Sequence, residues 1–260
     1  MLPLQRKQAL LDYLAQSGAA TMKQLSEHFG VSEMTVRRDL NALEQENRVQ
    51  RSHGGAVYLQ HEASKDEPDA AAKSRRNREI KNRLAAYAAE RFVRDGEVLI
   101  LENGTTVSGM TTFLGAYAEL TVLTNGLDTS SLFRPLVTER RTLISCGGML
   151  RNVSGTFVGP VAEEFFARYH ADTVFLSALG YTHEDGFTDP NLLDTQVKKA
   201  MIRAAGKVVM LLDASKIGNR SFTTIAHAAE VDIVVTDSNI HAEDKEKLEN
   251  SGVELHIVSG

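Results

Sequence analysis

Ser32-Glu33-Met34-Thr35-Val36-Arg37-Arg38-Asp39-Leu40-Asn41-Ala42-Leu43 reads as a capped helix with two unlike faces. Ser32 follows Gly30-Val31, and its hydroxyl can accept from an orphan N–H of the first turn. Val36, Leu40 and Leu43 recur at helical spacing and mark a buried face. Met34, Thr35, Arg37, Arg38 and Asn41 are left to point elsewhere. A helix of this kind can enter the major groove of DNA with its first turns on the base edges. A solvated amphipathic helix has the same composition, and the stretch alone does not choose between the two.

The flanking residues favour DNA. Between residues 4 and 17, Leu10, Leu11 and Leu14 share one helical face, and Gly18 is a natural stop. Thr21 can cap a second helix, Met22–Phe29, with Leu25 and Phe29 facing inward. Gly30 permits the tight turn before Ser32. Helix, helix, short turn, helix is the helix-turn-helix order. Residues 48–58 then read as strand, Gly54-Gly55 turn, strand, the wing of a winged helix. Arg51 and His53 at its tip can reach a phosphate or the minor groove. A hairpin without any contact is the plainer alternative.

A chain of 260 residues suits one small and one larger domain. The net charge of -5 at pH 7 excludes a polybasic nucleic-acid coat, so DNA-binding charge has to be local. One cysteine, Cys146, leaves no internal disulfide and fits a reducing cytoplasm. The opening residues have no long apolar core behind their charges, so no signal peptide is expected. No apolar run is long enough to span a bilayer. The histidines show no metal-ligand spacing and Cys146 has no cysteine partner, so no metal is expected.

Residues 59–73 are polar, contain Glu67-Pro68 and an alanine run, and read as a linker. Arg75, Arg76, Arg78, Lys81 and Arg83 follow, interleaved with Ile80, Leu84, Tyr87, Ala88 and Phe92. A basic run can be a DNA arm, but this interleaving favours an amphipathic helix with the cations as its wet face. Beyond it, apolar runs at 98–101, 121–123, 143–145, 173–176, 208–212 and 233–235 are separated by helical patterns, as at 161–169 and 195–205. This is an α/β domain with a mainly parallel sheet, whose ligands belong outside the carboxyl ends of the strands. The residues past those ends are polar or glycine: Glu102-Asn103-Gly104-Thr105-Thr106, Thr124-Asn125-Gly126, Cys146-Gly147-Gly148, and Gly180 with Asp185-Gly186. The first is a plausible phosphate cradle, although neither a Walker loop nor a dinucleotide fingerprint is present and no cofactor is expected. Asp194 and Lys198 lie one turn apart on a helix and can face each other, a surface ion pair on the simplest view.

Arg6, Leu10, Leu14, Ser32, Thr35-Val36-Arg37-Arg38-Asp39-Leu40 and His53-Gly54-Gly55-Ala56 together resemble the DeoR family of bacterial sugar-metabolism regulators, in both order and spacing. The resemblance implies a winged helix-turn-helix, residues 1–58, that binds double-stranded operator DNA. It implies a domain at 74–260, similar to ribose-5-phosphate isomerase, that senses a phosphorylated sugar and oligomerises. It places Lys198 and Lys216 in the family's effector region, where both can hold a sugar phosphate by charge. Gly147, Gly148, Asp185 and Asp194 join the strand-end residues as effector candidates. Three positions depart from the family's pattern: Glu102 for Asp, Gly126 for Ser and Asp194 for Glu. These changes bear on which sugar fits.

Two functions follow. One is a ligand-gated repressor of a carbohydrate operon, acting as a dimer or tetramer because one recognition helix covers only a few base pairs. The other is a sugar-phosphate isomerase with an accessory DNA-binding domain, using Glu184, Asp185 or Asp194 for general acid–base work. The N-terminal module favours the regulator.

Overall fold

Thr21 and Gly30 bound the first complete helix, α1 (Met22–Phe29). The Thr21 hydroxyl accepts from the Gln24 N–H, and the Gln24 side chain accepts from the Thr21 N–H, a reciprocal capping box. Gly30, at φ 63°, ends the helix in the left-handed region. The computed structural model describes residues 6, 7, 9, 10, 13, 14, 19–45, 49–52, 55–58 and 77–259. The expected linker at 59–73, Arg75, Arg76 and His53 lie outside them. Two compact units divide the chain, Met1–Ser64 and Lys65–Gly260.

In the smaller unit, α1 is followed by α2 (Glu33–Gln45). Leu10 and Leu14, both helical, pack with Leu25, Val36, Leu40 and Leu43 in one core. Each such fully buried side chain is worth roughly 1.5–3 kcal/mol in apolar transfer. Strand β1 (Ala19–Thr21) pairs with β3 (Gly55–Tyr58), which pairs in turn with β2 (Val49–Ser52). The hairpin is the expected wing, with Ser52 opposite Gly55. Strand β1 is an addition, because three residues before a helix carry no readable alternation. Gly55 is required by it: a Cβ there would overlap the backbone of Ala20 and Thr21.

The larger unit is built on a seven-stranded parallel sheet. Its strands are β4 (Val98–Leu101), β5 (Leu120–Thr124), β6 (Arg141–Ser145), β9 (Ala171–Leu176), β12 (Ala205–Leu211), β14 (Ile233–Asp237) and β15 (Glu254–Val258), in the order β15-β14-β12-β9-β4-β5-β6. Successive side chains alternate between two cores, as strand geometry requires. Leu99, Leu101, Phe175, Val209 and Leu211 pack with Leu84, Ala85 and Ala88 of α3 (Arg78–Phe92), Val107 of α4 (Thr105–Gly109) and Phe133 of α5 (Leu127–Phe133). Ile100, Val174, Leu176, Val208 and Met210 pack on the other face with Phe166 of α6 (Pro160–Phe166) and Met201 of α7 (Leu192–Arg203). Both faces are covered, which is why the runs read as continuously apolar. The seventh strand, β15, goes beyond the six runs expected. It lies at the sheet edge, half buried, and Glu254-Leu255-His256-Ile257-Val258 mixes polar with apolar residues accordingly.

Shorter antiparallel pieces sit beside this sheet. Strands β7 (Met149–Arg151) and β8 (Thr156–Val158) form a hairpin, and β10 (Gly180–Thr182), β11 (Gly186–Asp189) and β13 (Thr223–Ala226) form a small sheet. From β4 the chain winds outward to β5 and β6; from β9 it winds the opposite way to β12, β14 and β15. The reversal lies between neighbours β4 and β9, the place where an open α/β sheet leaves a crevice at its carboxyl ends. Among the described residues no helix is long and apolar enough to cross a membrane.

Two outcomes test this packing. Gly55→Ala should destabilise the smaller unit by about 1–3 kcal/mol, the usual range for overpacking, and calorimetry should show its transition alone moving down. Burial pushes the Cys146 thiol up to about 12. A disulfide reagent at pH 8 should therefore leave Cys146 unmodified until denaturant is added, since the thiolate is the reactive form; rapid labelling of the native protein would contradict the burial.

Candidate functional site

The outward face of α2 carries the residues expected to contact DNA. Ser32 Oγ accepts from the Thr35 N–H at 3.3 Å and lies 3.0 Å from the Thr35 hydroxyl, so Ser32 acts as the cap. Met34 is 67% exposed, and Arg37, Arg38 and Asn41 are exposed with it, while Val36 and Leu40 are fully buried. Arg51 belongs to β2. Asp39 breaks the polar-outward pattern. It is buried and accepts from Arg6 Nε at 2.6 Å and Arg6 Nη2 at 3.4 Å. The Asp39 hydrogen bond holds the Arg6 guanidinium above its already high ordinary value. The Arg-Arg-Asp-Leu signature thus contains two exposed cations and one buried anchor.

In the larger unit a cleft of about 720 Å³, its open mouth included, lies at the carboxyl ends of β4, β9 and β12. The loop after β4 supplies Glu102, Asn103, Gly104, Thr105 and Thr106; the loop after β9 supplies Ser177 to Leu179; the loop after β12 supplies Asp213 and Lys216. Asp189 comes from β11, Asp194 and Lys198 from α7, Ser154 and Thr156 from the hairpin, and Lys81 from α3.

Lys198 organises the cleft floor. Its ammonium has three N–H donors. It meets Asp189 Oδ2 at 2.7 Å, Glu102 Oε2 at 3.4 Å and the Ser177 carbonyl at 2.7 Å. Burial alone would lower its pKa, but Asp189 and Glu102 outweigh burial and raise it above the ordinary lysine value. A raised folded-state value stabilises the fold below the ordinary lysine pKa and fades only as pH climbs through the folded one, so the network is intact at neutral pH. Glu102 Oε1 accepts from both the N–H and the hydroxyl of Ser177. Gly104 follows from this packing, because a Cβ there would overlap the Glu102 carboxylate and the Ser177 hydroxyl.

Asp194 and Lys198, expected as a surface pair, are both buried and have separate partners. Asp194 Oδ2 pairs with Arg151, and its Oδ1 accepts from Thr156 Oγ1 at 2.6 Å. Arg151 also donates to Ser154 Oγ at 3.1 Å. A second charged group thus closes one wall of the cleft. Asn103 ties that wall to the sheet: its Nδ2 donates to the Ser154 carbonyl at 2.8 Å, and its Oδ1 accepts from the Thr129 N–H at 3.1 Å.

Several expected residues stand off the cleft lining. Thr124 is buried and donates to the Leu101 carbonyl at 2.6 Å, and Asn125 is buried beside it. Gly147 and Gly148, at φ 63° and 114°, make the turn between β6 and β7. Asp185 sits in the β10–β11 turn, hydrogen-bonded to Thr182, with Arg220 at 3.6 Å. Conversely, Lys81 lines the cleft although it was expected on a wet face. The signal was present: Lys81 is three and four residues before Leu84 and Ala85, on the buried stripe of α3. Ser177 and Asp213 follow strand ends and were open to the same rule. Arg151, Ser154 and Thr156 had no sequence signal, since a hairpin brings them in. Among the described residues no cluster of three or more His, Cys, Asp or Glu is placed to hold a metal ion.

Comparison with known proteins agrees with these two halves. Residues 6–62 match the family model of a DeoR-like helix-turn-helix domain, and residues 76–238 match that of the DeoR C-terminal sensor domain. The chain is 34% identical to the HTH-type transcriptional regulator GlpR of Haloferax volcanii, over 97% of each chain. It is 29% identical to the glycerol-3-phosphate regulon repressor of Escherichia coli, over 90% of each. Ribose 5-phosphate isomerase A of Methanocaldococcus jannaschii is similar over 54% of this chain and 55% of its own, at 19% identity and a TM-score of 0.39, a likeness too loose to bear on chemistry. With both family models matched in order over most of its length, the chain belongs to the DeoR family of helix-turn-helix regulators.

Proposed function

We propose that this protein is a DNA-binding repressor of a carbohydrate operon, gated by a phosphorylated sugar in the cleft of its larger unit. One observation carries the reading: a cleft at the switch point of a parallel sheet that combines lysines with carboxylates and hydroxyls. A phosphate needs cations and N–H donors; sugar hydroxyls need carboxylates and carbonyls to receive their protons. Lys81 and Lys216 are the cations assigned to the phosphate. Lys198 has its charge matched by Asp189 and Glu102 and is assigned to holding the cleft together. Asp213 is the acceptor assigned to the sugar, and Asp194, paired with Arg151, is assigned to the wall beside it. The named relatives include a glycerol-3-phosphate regulon repressor, which fits a small phosphorylated polyol or sugar as effector.

Regulation is favoured over isomerisation by the fold around the carboxylates. Two of the three acid–base candidates, Glu184 and Asp185, belong to the β10–β11 turn, and the third, Asp194, is engaged by Arg151 and Thr156. On the DNA side, Arg37 and Arg38 are assigned to phosphates or guanine edges, and Ser32, Met34, Thr35, Asn41, Arg51 and His53 are assigned to DNA contact with them. A dimer or tetramer would place two such helices on a two-fold operator. Effector binding would then bias one spacing of the two over another.

A thermal-shift series of phosphorylated sugars against their unphosphorylated parents tests the ligand class: only the phosphorylated members should raise the melting temperature, and equal shifts from both would refute the phosphate assignment. Lys216→Met should keep the fold and lose that shift. Lys198→Met should instead lose about 3–5 kcal/mol of stability, the usual penalty for leaving buried carboxylates without their cation. On DNA obtained by in vitro selection, Arg37→Ala should weaken binding by about 1–3 kcal/mol or more while the ligand shift persists. Wild-type affinity should fall steeply with salt as phosphate contacts release counterions, and a flat response would rule out the groove contact.

A further inference from the structure

Asn77 is the one non-glycine residue, among those described, in the left-handed region, at φ 54° and ψ 36°. Asn is among the few residues with a Cβ that adopt that conformation, and its side-chain contacts fix it there. Its amide Nδ2 donates to Asp213 Oδ1 at 2.9 Å and to Ser215 Oγ at 3.2 Å. Its carbonyl accepts from the Lys81 N–H at 3.0 Å. Asp213 and Ser215 are hydrogen-bonded to each other, and the Ala214 N–H donates to Asp237 Oδ2 at 2.7 Å.

These contacts join two parts of the cleft. Asp213 and Lys216 lie on the loop after β12, and Lys81 lies one turn into α3; all three line the cleft. Asn77 is bonded to both segments, yet it is not among the lining residues. It is also the N-cap residue of α3.

We propose that Asn77 is a positioning residue that couples an anion in the cleft to the backbone conformation at the start of α3. An anion held between Lys81 and Lys216 orders the Asp213–Lys216 loop. The ordered loop keeps both acceptors of the Asn77 amide in place and so locks its left-handed conformation. With the loop unpinned, the ordinary right-handed and extended conformations are open to Asn77. The ligand thereby selects one member of an existing set of states, which is how a site without contact to DNA can act on the chain leading from the DNA-binding unit. This mechanism rests on the anion reading of the cleft given above.

Trypsin supplies the test on the full-length protein, because Lys73, Arg75, Arg76 and Arg78 flank Asn77 in sequence. The probe is millimolar inorganic phosphate, with cleavage sites assigned by mass spectrometry and the melting temperature measured alongside. In the wild type, phosphate should raise the melting temperature and slow cleavage at these four sites by about 5-fold or more, the lower range of typical allosteric coupling. Asn77→Gly keeps the left-handed backbone without strain but removes the amide; it should keep the thermal shift and lose the protection. Ser215→Ala, which removes one of the two acceptors, should lose part of the protection. It also serves if Asn77→Gly folds poorly. Full protection in both variants would overturn the coupling role, as would a wild-type thermal shift with no change in cleavage. A wild type in which phosphate moves neither quantity would instead overturn the anion reading of the cleft, and this mechanism with it.

Discussion

A buried ammonium cannot be left unmatched, and Lys198 is the group around which the larger unit satisfies that constraint. Its partners come from three places distant in sequence: Glu102 after β4, Ser177 after β9 and Asp189 on β11. Breaking any one of these contacts leaves a charge or a polar group desolvated, which costs far more than an exposed pair contributes. The strand ends are thus held at fixed separations, and the cleft has a floor. The glycine at 104 is a consequence of this arrangement, because the carboxylate and hydroxyl that serve Lys198 occupy the space of a side chain.

The same physics divides the charges of the smaller unit. Asp39 is withdrawn from water and, through the half-buried Arg6, holds α2 to the residues before it, while Arg37 and Arg38 remain exposed. Neighbouring charges on one helix therefore do opposite work. Position on the helical circle separates them: Asp39 lies three residues past Val36 and beside Leu40, on the face that the core claims.

Much of the architecture was legible because it rests on local chemistry. Thr21, Gly30 and Ser32 delimit helices through hydrogen bonds made within a few residues. The continuous apolar runs of β4, β9 and β12 announce strands covered on both faces. The place of loop 102–106 on the cleft follows from the rule that open parallel sheets leave a crevice at their carboxyl ends. Other features were hidden because their cause is distant. Strand β15 is amphipathic only because it lies at an edge. The turns at 147–148 and 185 resemble binding loops in composition, yet they lie off the cleft lining. Lys81 shows the hazard of reading charge without phase: a lysine in a basic run belongs to the buried stripe once its spacing to Leu84 is taken into account.

Sequence alone determined the two bodies, the helix with exposed cations, the parallel sheet and the end of that sheet where the cleft opens, since each follows from periodicity and caps within a short span. Only the tertiary structure decided which charges meet. Asp194, one turn from Lys198, pairs with Arg151 on a hairpin, and Lys198 pairs with carboxylates from β11 and the loop after β4. The physical reason is that a buried ion selects partners by distance in space and by the surrounding desolvation, and neither quantity is written in the spacing of residues along the chain.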